Sequence, residues 1–173
     1  MKIDTTKLTL RLLGEDAIST LLDIQEEAFE AAKGDTDFLR RNTAETLAPC
    51  FLGNSRVLGA FFNGECAGFG ILHAAEDGKE NLAHDVDLID DVLTSANVKL
   101  IIVRPAYRGN GIQRILIEAL EGYAKQMGYA WLCATVAPTN RFSLDNFLKT
   151  GFSEHKILKK YGGLTRALLV KRI

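Results

Sequence analysis

The sequence lacks the features that would place it in a membrane, a secretory pathway or a disulfide-bonded scaffold. It has no apolar run of about 18 residues, the length that a membrane-spanning helix needs. The polar sequence that follows Met1 predicts no signal peptide. The cysteines Cys50, Cys66 and Cys133 are odd in number and widely spaced, which predicts core thiols rather than disulfides or a metal site. These absences predict a cytoplasmic protein without a metal or a membrane partner.

Internal repeats and low-complexity segments are also missing from the 173 residues. Apolar residues make up 47% of the chain and charged residues 25%, which is ordinary for a globular protein. A chain of this length can bury a core of its own. We therefore predict a single domain over residues 1–173.

The formal net charge of −1 conceals an uneven distribution of charge along the chain. Residues 1–98 carry a net charge of −10, whereas residues 99–173 carry +9. A basic half favours a polyanionic partner. Its bases are scattered rather than clustered with aromatic residues, which argues against nucleic acid as that partner. The alternative is that the two halves form surfaces that neutralise each other.

A strand–helix–strand unit occupies the centre of the sequence. The β-branched run Val98–Val103 predicts a buried strand, and Pro105 ends it because proline cannot donate to a sheet. Apolar residues at helical spacing from Ile112 to Met127 predict an amphipathic helix that Gly128 ends. Ala130–Val136 predicts a second strand, which should run parallel to the first with a right-handed crossover.

The turn between the first strand and the helix has the composition of an anion site. Gly109 and Gly111 would let a phosphate approach the first amides of the helix, and Arg108 adds a positive charge. The turn is not a P-loop, because Gly111 is not followed by Lys and Ser or Thr. It also lacks the third small residue and the acidic ribose partner of a dinucleotide site. The alternative is an ordinary tight turn.

The remaining pattern predicts further elements on both sides of this unit. The Asn63-Gly64 pair between two β-rich runs is a strong hairpin signal. The acidic stretch from Glu76 to Asp91, with seven acids and one base, predicts a short helix or a lid. The other predicted elements are a strand at 7–13, a helix at 17–32 that Gly34 ends, a weaker helix at 36–47 before Pro49, hairpin strands at 55–62 and 65–75, a short helix ending near Gly151, and a last hairpin of 152–158 and 164–171.

Two motifs in this order resemble those of the GNAT superfamily, the Gcn5-related N-acyltransferases. Motif A is Arg108-Gly109-Asn110-Gly111-Ile112-Gln113, after a strand that ends in Val-x-Pro. Motif B begins at Asn140 and ends in Gly151-Phe152. The resemblance is clear over residues 98–152. It departs from the family pattern at Gln113, where Gly or Ala is usual, and at Phe147, where the family frequently has Tyr.

The resemblance implies a fold, an activity and a cofactor site. The fold would be α/β, with a mixed, largely antiparallel twisted sheet, helices on both faces and a central strand-helix-strand site for acyl-CoA. The activity would be transfer of an acetyl group from acetyl-CoA to a primary amine by direct attack in a ternary complex. The cofactor would contact the strand at Ile101, Ile102 and Val103, the motif A residues Arg108, Gly109, Asn110, Gly111, Ile112 and Gln113, and the motif B residues Asn140, Ser143 and Phe147.

The catalytic residues are less well defined than the cofactor site. Phenylalanine at position 147 cannot protonate the departing thiolate, so either Tyr161 serves as the acid or the thiolate leaves unassisted, which a thiol pKa near 8.5 permits. The candidates for a general base are Asp87, Asp90, Glu65 and His73. Cys133 is a weak candidate for a covalent route because no adjacent residue would activate it.

The acidic stretch from Glu76 to Asp91 predicts a cationic amine acceptor, either a small molecule or a peptide. Two other functions stay open on the sequence alone. One is an acyl-CoA-binding protein without catalysis, and the other is an interaction module that keeps only the fold. The oligomeric state also stays open, a homodimer included.

Overall fold

A seven-stranded sheet forms the centre of the protein, in the order β1-β2-β3-β4-β5-β7-β6. The computed structural model describes residues 1–33, 35 and 37–173. Neighbouring strands are antiparallel except β4 and β5, which are parallel. The prediction of a mixed, largely antiparallel sheet is therefore confirmed. The strands are β1 Thr9–Leu12, β2 Arg56–Phe62, β3 Glu65–His73, β4 Ser95–Val103, β5 Trp131–Val136, β6 Ser153–Lys160 and β7 Leu164–Arg172.

Helices cover both faces of the sheet, as predicted. The described helices are α1 Ile18–Ala31, α2 Ala44–Leu47, α3 Ile112–Gln126 and α4 Arg141–Lys149. Leu116 and Leu120 of α3 pack with Phe147 of α4 in one core cluster, which includes Ala134 of the sheet. Ile24 of α1 lies in a second cluster on the opposite face, with α2. None of these helices combines the length and the apolar character needed to cross a membrane, within the residues that the structure describes.

The central strand–helix–strand unit and both hairpins agree with the sequence pattern. Helix α3 begins at Ile112 and is followed by Gly128, whose φ of +83° is the left-handed conformation that ends many helices. In the turn between β2 and β3, Asn63 and Gly64 have φ values of +50° and +85°. Positive φ at both central residues is the geometry of a type I′ two-residue hairpin turn.

The second predicted helix, over residues 36–47, is wrong for most of its length. Helix α2 begins only at Ala44, and the Thr43 side chain caps it by accepting a hydrogen bond from the Thr46 amide. Described residues before Thr43 are held against α1, where the Gln25 side chain accepts from the Asn42 amide at 2.8 Å. The expected start at Thr36 and the expected stop at Gly34 lie outside the described residues.

The acidic segment between β3 and β4 is a fixed part of the core rather than a lid. It contains two 3-10 turns, Leu82–Asp85 and Val92–Thr94. Leu82 and neighbouring apolar side chains pack in a third cluster with Leu168 of β7. The Asn81 side chain is fully buried and donates to the Val92 carbonyl at 3.0 Å. Of the two predicted alternatives, a short helix or a lid, the structure favours the first, because the segment forms short helical turns and buried apolar and amide contacts hold it on the sheet.

Candidate active site

A cleft opens in the sheet where β4 and β5 stop pairing. The two strands pair only from Ser95 and Trp131 to Asn97 and Cys133. Beyond that point, residues 98–103 of β4 pair with β3 on one side and with no described strand on the other. A cavity of about 1160 Å³ lies in this gap, and Ile101, Ile102 and Val103 line it. The free edge of β4 can therefore hydrogen-bond an extended molecule that carries amide groups.

The turn before α3 forms one end of this cavity. Gly109 and Gly111 have φ values of +79° and +77°. Residues other than glycine adopt this left-handed backbone conformation only at a cost in free energy. A Cβ placed on Gly109 would meet nothing within 4 Å, so the space above the turn is open. Gly111 caps α3 without a side chain, which leaves the first amides of the helix available. Arg108 lines the cavity beside them. Together these groups suit a phosphate.

Gln113, the first departure from the motif A pattern, connects the two helices that border this end of the cavity. Its Nε2 donates to Ser143 Oγ at 2.8 Å, and its Oε1 accepts from Asn146 Nδ2 at 2.9 Å. Both partners belong to α4. The long side chain is therefore directed along the helix pair, and it fixes the start of α4 relative to the start of α3.

Asn110 has a different position from the one the resemblance implies for its side chain. Its Nδ2 donates to the Met1 carbonyl at 2.8 Å, and its Oδ1 accepts from the Ile3 amide at 3.1 Å. The side chain thus holds the N-terminal residues against the turn. It does not line the cavity, so the backbone of Asn110 is what this position can offer to a ligand.

The start of α4 borders the cavity and carries three of the predicted residues. Asn140 caps the helix by accepting from the Ser143 amide at 3.3 Å, and both residues line the cavity. Phe147 also lines it but is 4% exposed, with its ring edge-to-face against Phe152. Phe142 also lines the cavity and is 88% exposed, although the sequence pattern did not predict it as a site residue. An aromatic residue two positions after a helix cap was the available signal.

Tyr161 lies at the cavity, on the opposite side of the gap from β4. It belongs to the turn between β6 and β7 and has a φ of +54°, unusual for a residue other than glycine. Its hydroxyl lies 2.9 Å from Thr135 Oγ1 of β5. The Arg40 guanidinium lies over its ring, 4.6 Å from the centroid. The turn therefore directs the phenol into the cleft, where it can exchange a proton with a bound molecule.

His73 is the one base candidate among the four that lines the cavity. It lies at the end of β3, is 7% exposed, and its Nδ1 is 3.3 Å from Ser55 Oγ. Its Nε2 lies 3.6 Å from Glu80 Oε1. Burial is the main cause that lowers the pKa of His73, the Lys99 charge lowers it further, and Glu80 acts in the opposite direction. The ring is therefore neutral near pH 7 and can accept a proton.

The other three base candidates lie elsewhere. The Asp87 carboxylate faces β6, where it is 3.4 Å from His155 and 3.8 Å from Lys156. Glu65 lies 3.7 Å from Arg104. Neither of these carboxylates lines the cavity, and Asp90 does not line it either. The structure thus gives no support to Asp87, because its ion pairs direct it away from the cleft.

Cys133 is unsuited to a covalent route. It has no exposed surface, and burial raises the pKa of its thiol to about 12. The thiolate, which is the nucleophilic form, is therefore scarce at neutral pH. In the described part of the chain, no group of three or more His, Cys, Asp or Glu side chains could hold a metal ion.

The acidic segment does not form a wall of the cavity. Of its seven acids, Glu80 lines the cavity and the other six do not. Asp85 pairs with Lys160 of β6, as Asp87 does with Lys156. Two of the acids are thus paired with a basic strand, as the alternative interpretation of the charge distribution expects. Because six of the seven acids lie outside the cavity, the segment gives a cationic acceptor little support, and that expectation stays a prediction.

Solved structures with the same fold include several acetyltransferases. A GCN5-related N-acetyltransferase from Kribbella flavida is 15% identical with a TM-score of 0.76, over 98% of this chain and 100% of that one. The protein yncA from Salmonella typhimurium, solved with its cofactor acetyl-CoA, is 17% identical with a TM-score of 0.72, over 95% and 93%. An aminoglycoside acetyltransferase, AAC(6')-Ib, in complex with coenzyme A and kanamycin is 17% identical with a TM-score of 0.68, over 95% and 94%.

Comparison of the amino-acid sequence with known proteins and protein families shows which family the chain belongs to. No curated protein matches the chain significantly. The model of the acetyltransferase (GNAT) family matches residues 18–152, which include β4, the glycine turn, α3, β5 and α4. The chain is therefore an acetyl-CoA-dependent acyltransferase and belongs to the GNAT family of acetyltransferases.

Proposed function

We propose that the protein transfers an acetyl group from acetyl-CoA to a primary amine by direct attack, with both substrates bound at once. The observation that carries this proposal is the continuous cavity between the first amides of α3 and His73. One end suits an anionic cofactor and the other holds a neutral base. A site that only stored acyl-CoA would have no use for a buried base at the far end.

The cofactor end of the cavity supplies four kinds of contact. The glycine turn and the first amides of α3 hold the pyrophosphate, with Arg108. The free edge of β4 at Ile101–Val103 pairs with the amides of the pantetheine arm. Asn140 and Ser143 at the start of α4 border the same arm. The exposed ring of Phe142 offers a face on which an adenine can stack.

His73 is the proposed general base for the attacking amine. An amine must lose its proton to become nucleophilic and a second one as the amide forms. His73 Nε2 accepts that proton directly or through one water, and Glu80 stabilises the imidazolium that results. Ser55 holds the other ring nitrogen and fixes the orientation of the ring. The amine nitrogen forms a bond to the thioester carbonyl carbon, and the carbon–sulfur bond breaks.

Tyr161 is the proposed acid for the departing sulfur. Its hydroxyl lies in the cleft opposite β4, and Thr135 can supply or accept the hydrogen bond that keeps it there. Phe147 occupies the family's usual tyrosine position but is packed against Phe152 and has no proton to give. Donation from Tyr161 would yield free coenzyme A thiol and a tyrosinate, which the protonated His73 can neutralise through water.

The proposal is tested by mixing the protein with acetyl-CoA and a panel of primary amines. We expect release of one free thiol for each N-acetylated product, detected by a thiol reagent and by mass spectrometry. His84→Gln is a suitable control variant, since His84 is exposed and, among the described residues, its ring bonds only the Asp77 carbonyl. Binding of acetyl-CoA without thiol release for any amine would favour a storage or carrier role instead.

A further inference from the structure

Arg166 is a buried cation at the acceptor side of the cavity. It lies on β7, is 4% exposed, and lines the cavity together with Tyr161 and Thr135. Leu168, two residues further along β7, pairs with Thr135 of β5. Residues two apart on a strand share a face, so Arg166 lies on the same face as Leu168 and the acidic segment. That face is opposite α3 and α4.

The guanidinium of Arg166 has few partners for a buried charge. Among the described residues, its one hydrogen bond runs from Nη1 to the Thr165 carbonyl, at 2.9 Å. No described carboxylate forms an ion pair with it within 4 Å, although Tyr161 and Asp37 are close enough to act on its charge. Buried cations are normally paired, since an isolated charge costs several kcal/mol or more to bury. The remaining donors of Arg166 are therefore available to a ligand in the cavity.

The charges around Arg166 have the sign that attracts an anion. Arg40, whose guanidinium lies over the Tyr161 ring, lines the cavity beside Arg166, and Lys99 lines it nearer His73. Of the described acids, Glu80 is engaged by His73, and Asp37 is the acid that acts on Arg166. A planar guanidinium fits a carboxylate through two parallel hydrogen bonds. A cationic side chain on the acceptor would meet like charge at this wall.

Resting on the proposed function, we infer that the acceptor carries a carboxylate as well as its amine, and that Arg166 binds this carboxylate. The acceptor amine then lies toward His73 and its carboxylate toward β7. His73 is on β3 and Arg166 is on β7, so three strand spacings, about 15 Å in all, separate their backbones across the sheet. The long arginine side chain shortens that span. The acceptor is therefore a small molecule whose chain separates its amine from its carboxylate, as in an ω-amino carboxylate.

The experiment compares carboxylates with their amides in two assays. The probes are the twenty protein amino acids, a set of ω-amino carboxylates, and the corresponding carboxamides. Binding is measured as the shift in melting temperature with coenzyme A present, and turnover as thiol release. The variants are Arg166→Met, Arg166→Lys and the control Arg172→Met, which removes an arginine from the same strand at a position outside the cavity.

We expect at least one carboxylate to stabilise the wild-type protein and to be acetylated, with its carboxamide about 30-fold poorer in kcat/KM. That ratio is the lower end of the range expected when a buried charge pair loses one partner. Arg166→Met should raise KM for the carboxylate by a similar factor and abolish the preference over the amide. Arg166→Lys should recover part of it, and Arg172→Met should leave it unchanged. If Arg166 has only a structural role, Arg166→Met should lower the melting temperature without changing the preference for the carboxylate over its carboxamide.

Failure of this inference differs from failure of the proposed function. If no carboxylate stabilises the wild-type protein, or if the preference persists in Arg166→Met, the inference is overturned. Acetylation of amines without regard to a carboxylate would overturn it too, while the proposed function would stand. Binding of carboxylates without thiol release would support the role of Arg166 and contradict acetyl transfer.

Discussion

Replacement of His73 by glutamine removes the proposed base and keeps a side chain that can bond Ser55. A positioned general base contributes about 10²–10⁴ to the rate, so kcat/KM should fall by that factor, or about 2.7–5.5 kcal/mol in activation free energy. The assay is thiol release at saturating acetyl-CoA with the best acceptor. A thermal melt establishes that the variant is folded. His84→Gln is the matched control, since it removes an exposed histidine outside the cavity.

The pH dependence gives the same hypothesis a second test. Burial and the Lys99 charge lower the pKa of His73 from its ordinary value of 6.5. The acid limb of kcat/KM should therefore lie below pH 6.5, and Lys99→Met should move it upward because a repelling charge is lost. Glu80→Gln should move it downward. The limb should vanish in His73→Gln.

The free energy of unfolding should also depend on the titration of His73. The unfolded chain binds a proton at His73 more readily than the folded one, so the free energy of unfolding rises with pH. The contribution of His73 is complete above pH 6.5 and is lost as pH falls toward the lower, folded pKa. A kcat/KM unchanged in His73→Gln, or an acid limb that survives in that variant, would show that His73 is not the base.

Three further predictions concern the acid and the cofactor end. Tyr161→Phe should lower kcat by about 10²-fold with acetyl-CoA affinity unchanged, and Phe147→Tyr should restore part of the loss; an unchanged kcat would mean that the thiolate leaves unassisted. Gly111→Val should weaken acetyl-CoA binding by about tenfold or more, since one hydrogen bond to a charged group contributes about 1.5–3 kcal/mol. Gly128→Val is the control, because Gly128 also has a positive φ but lies at the other end of α3, and it should leave acetyl-CoA binding intact. Equal affinities for acetyl-CoA in the two variants would mean that the glycine turn has only a structural role. Phe142→Ala should weaken acetyl-CoA but not acetylpantetheine, since adenine stacking contributes about 1–3 kcal/mol; equal losses for both would contradict stacking.

The parts of the fold that the sequence predicted correctly are those with strong local signals. Apolar spacing from Ile112 onward defines α3, and Asn63-Gly64 defines the turn between β2 and β3. The error at residues 36–47 has an equally local cause. Apolar spacing extended the predicted helix back to residue 36, whereas Thr43 and Thr46 form a reciprocal cap that begins α2.

The candidate site depends more on contacts between distant residues. The glycine turn is contiguous in sequence, which is why Arg108 to Gln113 could be proposed together as a cofactor site from the sequence alone. His73 and Glu80 meet only because the segment after β3 folds back, and Arg166 reaches the same cavity from β7. Sequence alone could not choose His73 over Asp87, since the choice depends on which carboxylates β6 engages. No motif or local pattern in the sequence around Arg166 indicated that it would line the cavity.

Acetyl transfer itself is tested most directly by a product assay at several protein concentrations. The protein is incubated with acetyl-CoA and the amine panel, and free thiol and N-acetylated product are measured together. The account predicts equal amounts of the two, at a rate proportional to protein concentration and lost in His73→Gln. Saturating coenzyme A at a hundred times its Kd should also raise stability by about 2.7 kcal/mol. Such stabilisation by ligand with no N-acetylated product from any amine would contradict the account.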